Sequence, residues 1–266
     1  MSEIIKNRTE RKYDISIDKI FEVYGENGNN LAPKEVVMDL SLEPKKAEEW
    51  TLEALAKAKL DNKLTALVAG SFDVPHPNHD WFLRHCRLML ADKWLKNNDI
   101  NTKEMTEKEQ GIILREVIES DRIFLAVSID TDTALDIRKS NDPTKGGVKR
   151  PIYDWGVRAN RIASQSFASS LDPRIKFGVV DLVVAGGPEY KDTILEKAKI
   201  LADTAHNQYD LIDEYIVFDE HPQDIDNAIN SGFEPIIIPM DYIYSKGPNG
   251  EKHKSSAYIR KIRGED

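Results

Sequence analysis

Residues 64–79, LTALVAGSFDVPHPNH, decide the fold and point to the chemistry. The short apolar run LTALVAG, stopped by Gly70, is the pattern of a buried strand, and an amphipathic segment from about His79 to Leu95 follows it. The stretch therefore reads strand, turn, helix. Gly70 ends the strand without a side chain, which lets backbone approach a ligand. His76 and His79 stand three residues apart at the helix start and share one face of its first turn. Two imidazoles and the unpaired amides of a helix N-terminus converge there, and an anion is what such a place binds.

The same beat repeats along the chain. RIFLAVSID (residues 122–130) is a second strand, followed by a Gly/Lys-rich loop, KSNDPTKGGVKRP, and a helix from around Trp155 to Ala168. DLVVAGG is a third strand with a glycine stop, and EYKDTILEKAKILADTAH a further helix. EYIVF is a fourth strand, PQDIDNAINSG a helix ending at Gly232, and EPIIIP a fifth strand. A Gly/Pro/Lys loop then leads to a last helix from about Ser255 to Arg263. No internal repeat is visible. Strands alternating with helices of this length imply an α/β protein whose mostly parallel sheet carries helices on both faces. Ligands of such sheets bind outside the carboxyl ends of the strands, where strand order reverses.

Residues 1–62 read differently, with a mixed opening, a turn at GENGNN and a helical stretch spaced by Trp50, Leu52, Leu55 and Leu60. The sequence thus divides into an N-terminal extension, 1–62, and a main domain, 63–266. The extension packs on the core or builds a homodimer, and the sequence does not choose.

Composition narrows the function. A content of 40% hydrophobic and 31% charged residues suits a packed globular chain. The net charge of -9 argues against the broad basic surface that nucleic acid requires. The single cysteine, Cys86, excludes an internal disulfide and points to a reducing compartment. The opening MSEIIKNRTERKYDISIDK is charged where a signal peptide would be apolar, and no run reaches the roughly 18 apolar residues of a membrane span. The expectation is a cytoplasmic protein with no membrane or nucleic-acid partner.

Residues 70–79 resemble the G-x-F-D-x-x-H-x-G-H motif of the cytidylyltransferase-like nucleotidyltransferases, the HxGH superfamily. Gly70, Phe72, Asp73, His76 and His79 match, Ser71 fills the variable place, and Asn78 stands where the family has glycine. Near the C-terminus, HKSSAYIRK (residues 253–261) resembles the family's I-S-S-T-x-I-R motif, with Ser255, Ser256 and Arg260 matching. Lys254 there replaces isoleucine and Ala257 threonine. Residues 125–162 look like the family's second strand, its lysine-bearing loop and the helix after R-P. Lys145, Lys149 and Arg150, with Arg158 beyond, are candidates to cover a triphosphate, or else form a solvated basic loop. DLVVAGGPEY resembles K-G-x-D-Y, with Ala185 at the lysine position. Gly186 and Gly187 either line the base or simply end a strand.

The resemblance covers roughly residues 64–263. It implies a Rossmann-like α/β/α sandwich and a nucleotidyltransferase that moves an NMP unit from CTP or ATP to a phosphorylated small-molecule acceptor, releasing pyrophosphate. It implies Mg2+ arriving with the triphosphate, catalytic His76, His79 and Arg260, and nucleotide contacts from Gly70, Ser71, Phe72, Asp73, Asn78, Lys149, Arg150, Gly186, Gly187, Ser255 and Ser256. A protein-only metal site is not implied. The substitutions Asn78 and Ala257 also admit a regulatory protein that binds nucleotide without turnover. An aminoacyl-tRNA synthetase would need a K-M-S-K-S sequence that the chain lacks.

Overall fold

Two largely apolar strands, β1 (Leu64–Gly70) and β2 (Ile123–Asp130), form the centre of a five-stranded parallel sheet. The computed structural model describes residues 37–39, 44–74, 76–139, 150–169, 174, 176–186, 211–218, 222–230 and 232–238. β1 and β2 pair from Leu64 with Ile123 to Gly70 with Ile129. Seven of the eight residues of β2 are buried, as expected of a parallel strand covered on both faces. β5 (Leu182–Gly186) pairs with the far side of β2, and β6 (Glu214–Phe218) with the far side of β1. β7 (Ile236–Ile238) then pairs with β6, which gives the order β5-β2-β1-β6-β7. The fold is α/β and Rossmann-like, as the sequence predicts.

Helices connect the strands. After β1 comes α2 (Pro77–Asn97), which packs on β1 and β2 and carries α3 (Glu107–Glu119) against it. After β2 come α4 (Asp132–Lys139) and later α5 (Trp155–Ala163), the second packing on β5 and β2. α6 (Pro222–Asn230) joins β6 to β7 and packs on β6. Crossovers between parallel strands are right-handed, and those from β1 and from β6 run in opposite directions along the sheet. Their helices therefore cover opposite faces.

The described part of the N-terminal extension is built into this core. α1 (Pro44–Leu60) packs on β1, and Leu52, Leu55 and four alanines of the helix are buried in the cluster that holds the strands. Val37 bridges Val183 in parallel, and the Met38 amide donates to the Val183 carbonyl at 2.9 Å, beside the edge strand β5. Each buried Leu or Met contributes about 1.5–3 kcal/mol, so Met38, Leu52 and Leu55 together rival the net stability of a typical domain.

Three local expectations need correction. The helix starting at Trp155 ends at Ala163 rather than Ala168, because the serines at 164 and 166 compete with the helix for backbone hydrogen bonds, Ser164 Oγ donating to the Arg161 carbonyl at 3.0 Å. Residues Ser166–Ala168 instead form β3, which pairs antiparallel with β4 (Lys176–Gly178). α3 and α4 interrupt the simple alternation. The start of α3 is written in Thr106 and Glu109, whose reciprocal bonds close a capping box. The expected helices over 189–206 and from about Ser255 to Arg263 lie outside the described residues.

Candidate functional site

From β1 the chain moves to β2 and β5 on one side, then returns to β6 and β7 on the other. Strand order reverses between β1 and β6, and the region outside the carboxyl ends at such a reversal is where parallel sheets take ligands. The turn at Ser71–Val74 follows directly on the carboxyl end of β1. Phe82 of α2 stacks on Phe218 at the end of β6, ring centroids 3.8 Å apart, and ties the helix to that strand.

The turn is held in a costly conformation. Phe72 has φ of 45°, a left-handed backbone that costs an aromatic residue about 1–3 kcal/mol and persists only where its surroundings enforce it. Its buried ring folds back over Gly70. A Cβ at position 70 would stand 2.7 Å from Phe72 Cε2, so glycine is needed there to seat the ring. On the side where a Cβ would stand, Gly70 is covered by the Phe72 ring.

His76 is the N-cap of α2, in extended conformation, and Pro77 follows at the first helical position, where its fixed φ suits a helix start. The His76 and His79 rings stack with centroids 3.9 Å apart, and the Phe72 ring meets His79 edge-on at 5.2 Å. The His76 backbone N–H donates to Nδ1 of His79 at 3.3 Å. With Nδ1 accepting, a neutral His79 carries its proton on Nε2 and presents it as a donor. Burial, then the proximity of His76 and Lys139, hold the His79 imidazole down at about 3, so the neutral form prevails at physiological pH.

The first-turn amides do less than expected. Pro77 has no N–H, and those of His79 and Asp80 turn to the His76 carbonyl at 2.9 and 3.4 Å. The imidazoles stand beside the positive end of a 21-residue helix, which favours an anion there. Asn78 is buried in the first turn and needs no unusual backbone there.

Asp73 and Arg150, both expected at the nucleotide, are bonded to each other. The guanidinium of Arg150 donates through Nη1 to Oδ2 of Asp73, and the Ile152 amide donates to Oδ1 at 2.9 Å. Both side chains are at most 4% exposed. Arg158 is corrected from a triphosphate contact to an internal clasp, because it is fully buried and all three guanidinium nitrogens are engaged. Nε reaches the Tyr153 carbonyl at 3.0 Å and Nη1 the Ser71 carbonyl at 2.5 Å. Nη2 reaches the Asp130 carbonyl and Asp132 Oδ1, each at 2.7 Å.

Gly186 ends β5 opposite Asp130, and its carbonyl accepts from the Thr131 amide at 2.7 Å. Lys145, Lys149, Gly187, Ser255, Ser256 and Arg260 lie outside the described residues. The structure adds Lys139, the last residue of α4, whose charge reaches His79. No sequence signal distinguished it from the other lysines of that region. Among the described residues no group of three His, Cys, Asp or Glu side chains could hold a metal ion, and no helix is long and apolar enough to cross a membrane. Compared with protein-family models, with curated proteins and with solved structures, the chain finds no match in any of the three.

Proposed function

We propose that this chain is a nucleotidyltransferase that transfers an NMP unit from CTP or ATP to a phosphorylated small-molecule acceptor. The observation that carries the reading is the stacked His76–His79 pair, set at the N-terminus of α2 on a strained turn where the strand order reverses. The triphosphate enters as its magnesium complex, the metal travelling with the substrate. An acceptor phosphate oxygen attacks the α-phosphorus, the bond to the bridging oxygen breaks, and pyrophosphate leaves with its electron pair. Charge grows on the α-phosphoryl and leaving oxygens. Nε2–H of His79 and the helix end oppose that charge without forming a covalent intermediate.

The test is a thermal-shift panel of ATP, CTP, GTP and UTP with magnesium on the parent and on His79→Ala, followed by pyrophosphate release with sugar phosphates, alcohol phosphates and mononucleotides as acceptors. A shift for one nucleotide, weakened in the variant, and a turnover drop of about 10²–10³-fold are expected. No shift with any triphosphate would remove the reading. A second reading, binding without turnover, draws on Asn78, whose side chain is buried where the family motif has glycine. Under it, Asn78→Gly combined with Ala257→Thr awakens activity, and a folded double variant that gains none counts against it.

A further inference from the structure

The strained residue Phe72 is gripped from both sides. On its N-terminal side the Ser71 carbonyl accepts from Arg158, whose other bonds reach the Asp130 carbonyl at the end of β2 and Asp132 at the start of α4. On its C-terminal side the Asp73 carboxylate accepts from Arg150 and from the Ile152 amide. Between these grips the backbone takes its positive φ, and the ring it carries lies over Gly70 and against His79. Two buried arginines from the segment 150–158 therefore reach across the carboxyl end of the sheet and hold the turn that precedes the histidines.

We infer that Asp73 and Arg150 are positioning residues, a buried ion pair that holds the Phe72 turn and through it the orientation of His79, and that neither contacts the nucleotide. The inference rests on the proposed reading in one respect only, that His79 is the group positioned for transfer. Arg158 supports the other flank of the same turn. A buried carboxylate needs its charge met by a fixed partner, and Arg150 meets it at Oδ2 while the Ile152 amide bonds Oδ1. Loss of the pair releases the one conformation in which Phe72 and His79 meet edge to face.

The experiment needs no nucleotide. Long-range ¹H–¹⁵N spectra of the histidine rings read which nitrogen of His79 is protonated, in the parent and in Asp73→Asn, Arg150→Met and Arg150→Lys. Asp73→Asn keeps an acceptor for the Ile152 amide and removes the charge. The parent is expected to show the Nε2–H form alone. Asp73→Asn and Arg150→Met are expected to show a mixture of tautomers, and Arg150→Lys, which keeps a cation for Asp73, to return most of the parent signal. A folded Asp73→Asn or Arg150→Met with the parent's single tautomer overturns the inference. Should Asp73→Asn fail to fold, the two Arg150 variants decide it alone. Turnover adds a second arm, since a misplacement of about 1 Å can cost ~10²-fold in rate. These variants are expected to lose kcat while retaining the parent's triphosphate-induced thermal shift, and loss of that shift at unchanged kcat would make Asp73 or Arg150 a binding residue. If no triphosphate stabilises the parent, the nucleotidyltransferase reading falls while the ring spectra still decide the clasp.

Discussion

Replacing Gly70 by alanine probes the packing on which the site depends. The added methyl would lie 2.7 Å from Phe72 Cε2 and 3.2 and 3.3 Å from two further ring atoms, where carbon atoms in contact sit about 3.5–4.0 Å apart. The ring must retreat by roughly 1 Å, and it is buried on a backbone pinned at φ 45°. Overpacking of this kind costs about 1–3 kcal/mol. Alanine in place of a strand glycine returns about 0.5–1 kcal/mol, because glycine loses more backbone freedom on folding. The expected net loss is about 0.5–2 kcal/mol, a fall in Tm of roughly 1–8 °C for a chain of this size. Because the ring that moves is the one edge-on to His79, turnover should fall further than stability, by about 10–100-fold. The assay is a double-mutant cycle with Phe72→Leu, read as urea midpoints at a shared slope. Gly70→Ala should be cheaper in the Phe72→Leu background. If it costs the same in both to within about 0.5 kcal/mol, the limit of simple additivity, then the Phe72 ring is not what keeps position 70 bare.

Acid should destabilise the fold through His79: its folded value of about 3 lies below the usual 6.5, so as pH falls the unfolded chain takes up the proton first, and the stability present above 6.5 is lost between 6.5 and about 3. The slope is at most roughly 1.4 kcal/mol per pH unit, and urea midpoints between pH 7 and 4 should fall more steeply for the parent than for His79→Gln; equal slopes would mean the ring is not held neutral. Arg158→Met removes the buried guanidinium that bonds the Ser71, Tyr153 and Asp130 carbonyls and Asp132, and should cost about 3 kcal/mol or more, seen as a lower urea midpoint at unchanged slope. Gly232 has φ of 89° just past α6, so Gly232→Ala should cost about 1–2 kcal/mol, with Gly232→Asn milder; an unchanged melting temperature would contradict a left-handed residue there.

The regular part of this fold was legible because burial leaves a period in the sequence. All five strands of the main sheet stand out as short apolar runs, three of them (β1, β5 and β7) ending at or beside glycine or proline, and α1 shows its Trp50–Leu60 spacing far from the motif. The β3–β4 pair was not legible, since three-residue strands are too short to establish a period. α3 had a readable start at Thr106 and Glu109, but its mildly polar helix fell between two stronger signals. The histidine pair was legible because its geometry is local, three residues along one helical turn. The partners of Asp73 and Ser71 were not, being set by contacts 77 and 87 residues away in the chain. An arginine on an amphipathic helix reads as solvent-facing, and only the sheet's packing shows that Arg158 points inward.

The same geometry says how binding and rate divide between residues under the proposed function. A magnesium-bound triphosphate remains anionic, yet His79 is neutral and Arg150 and Arg158 already answer Asp73, Asp132 and main-chain carbonyls. The histidines therefore orient and stabilise more than they attract. Attraction falls to Lys139 and to the cations the sequence supplies at Lys145, Lys149 and Arg260. A charged hydrogen bond contributes about 1.5–3 kcal/mol, which is roughly 10–100-fold in affinity. Lys149→Ala or Arg260→Ala should accordingly raise KM for the triphosphate by about that factor. His79→Ala should act chiefly on kcat, since a donor aimed at developing charge does its work in the transition state. The salt dependence of KM should weaken in the lysine and arginine variants and stay as in the parent for His79→Ala. If His79→Ala instead raises KM and leaves kcat unchanged, the imidazole binds ground-state phosphate, and the division of labour argued from its neutral, Nε2-protonated form is wrong.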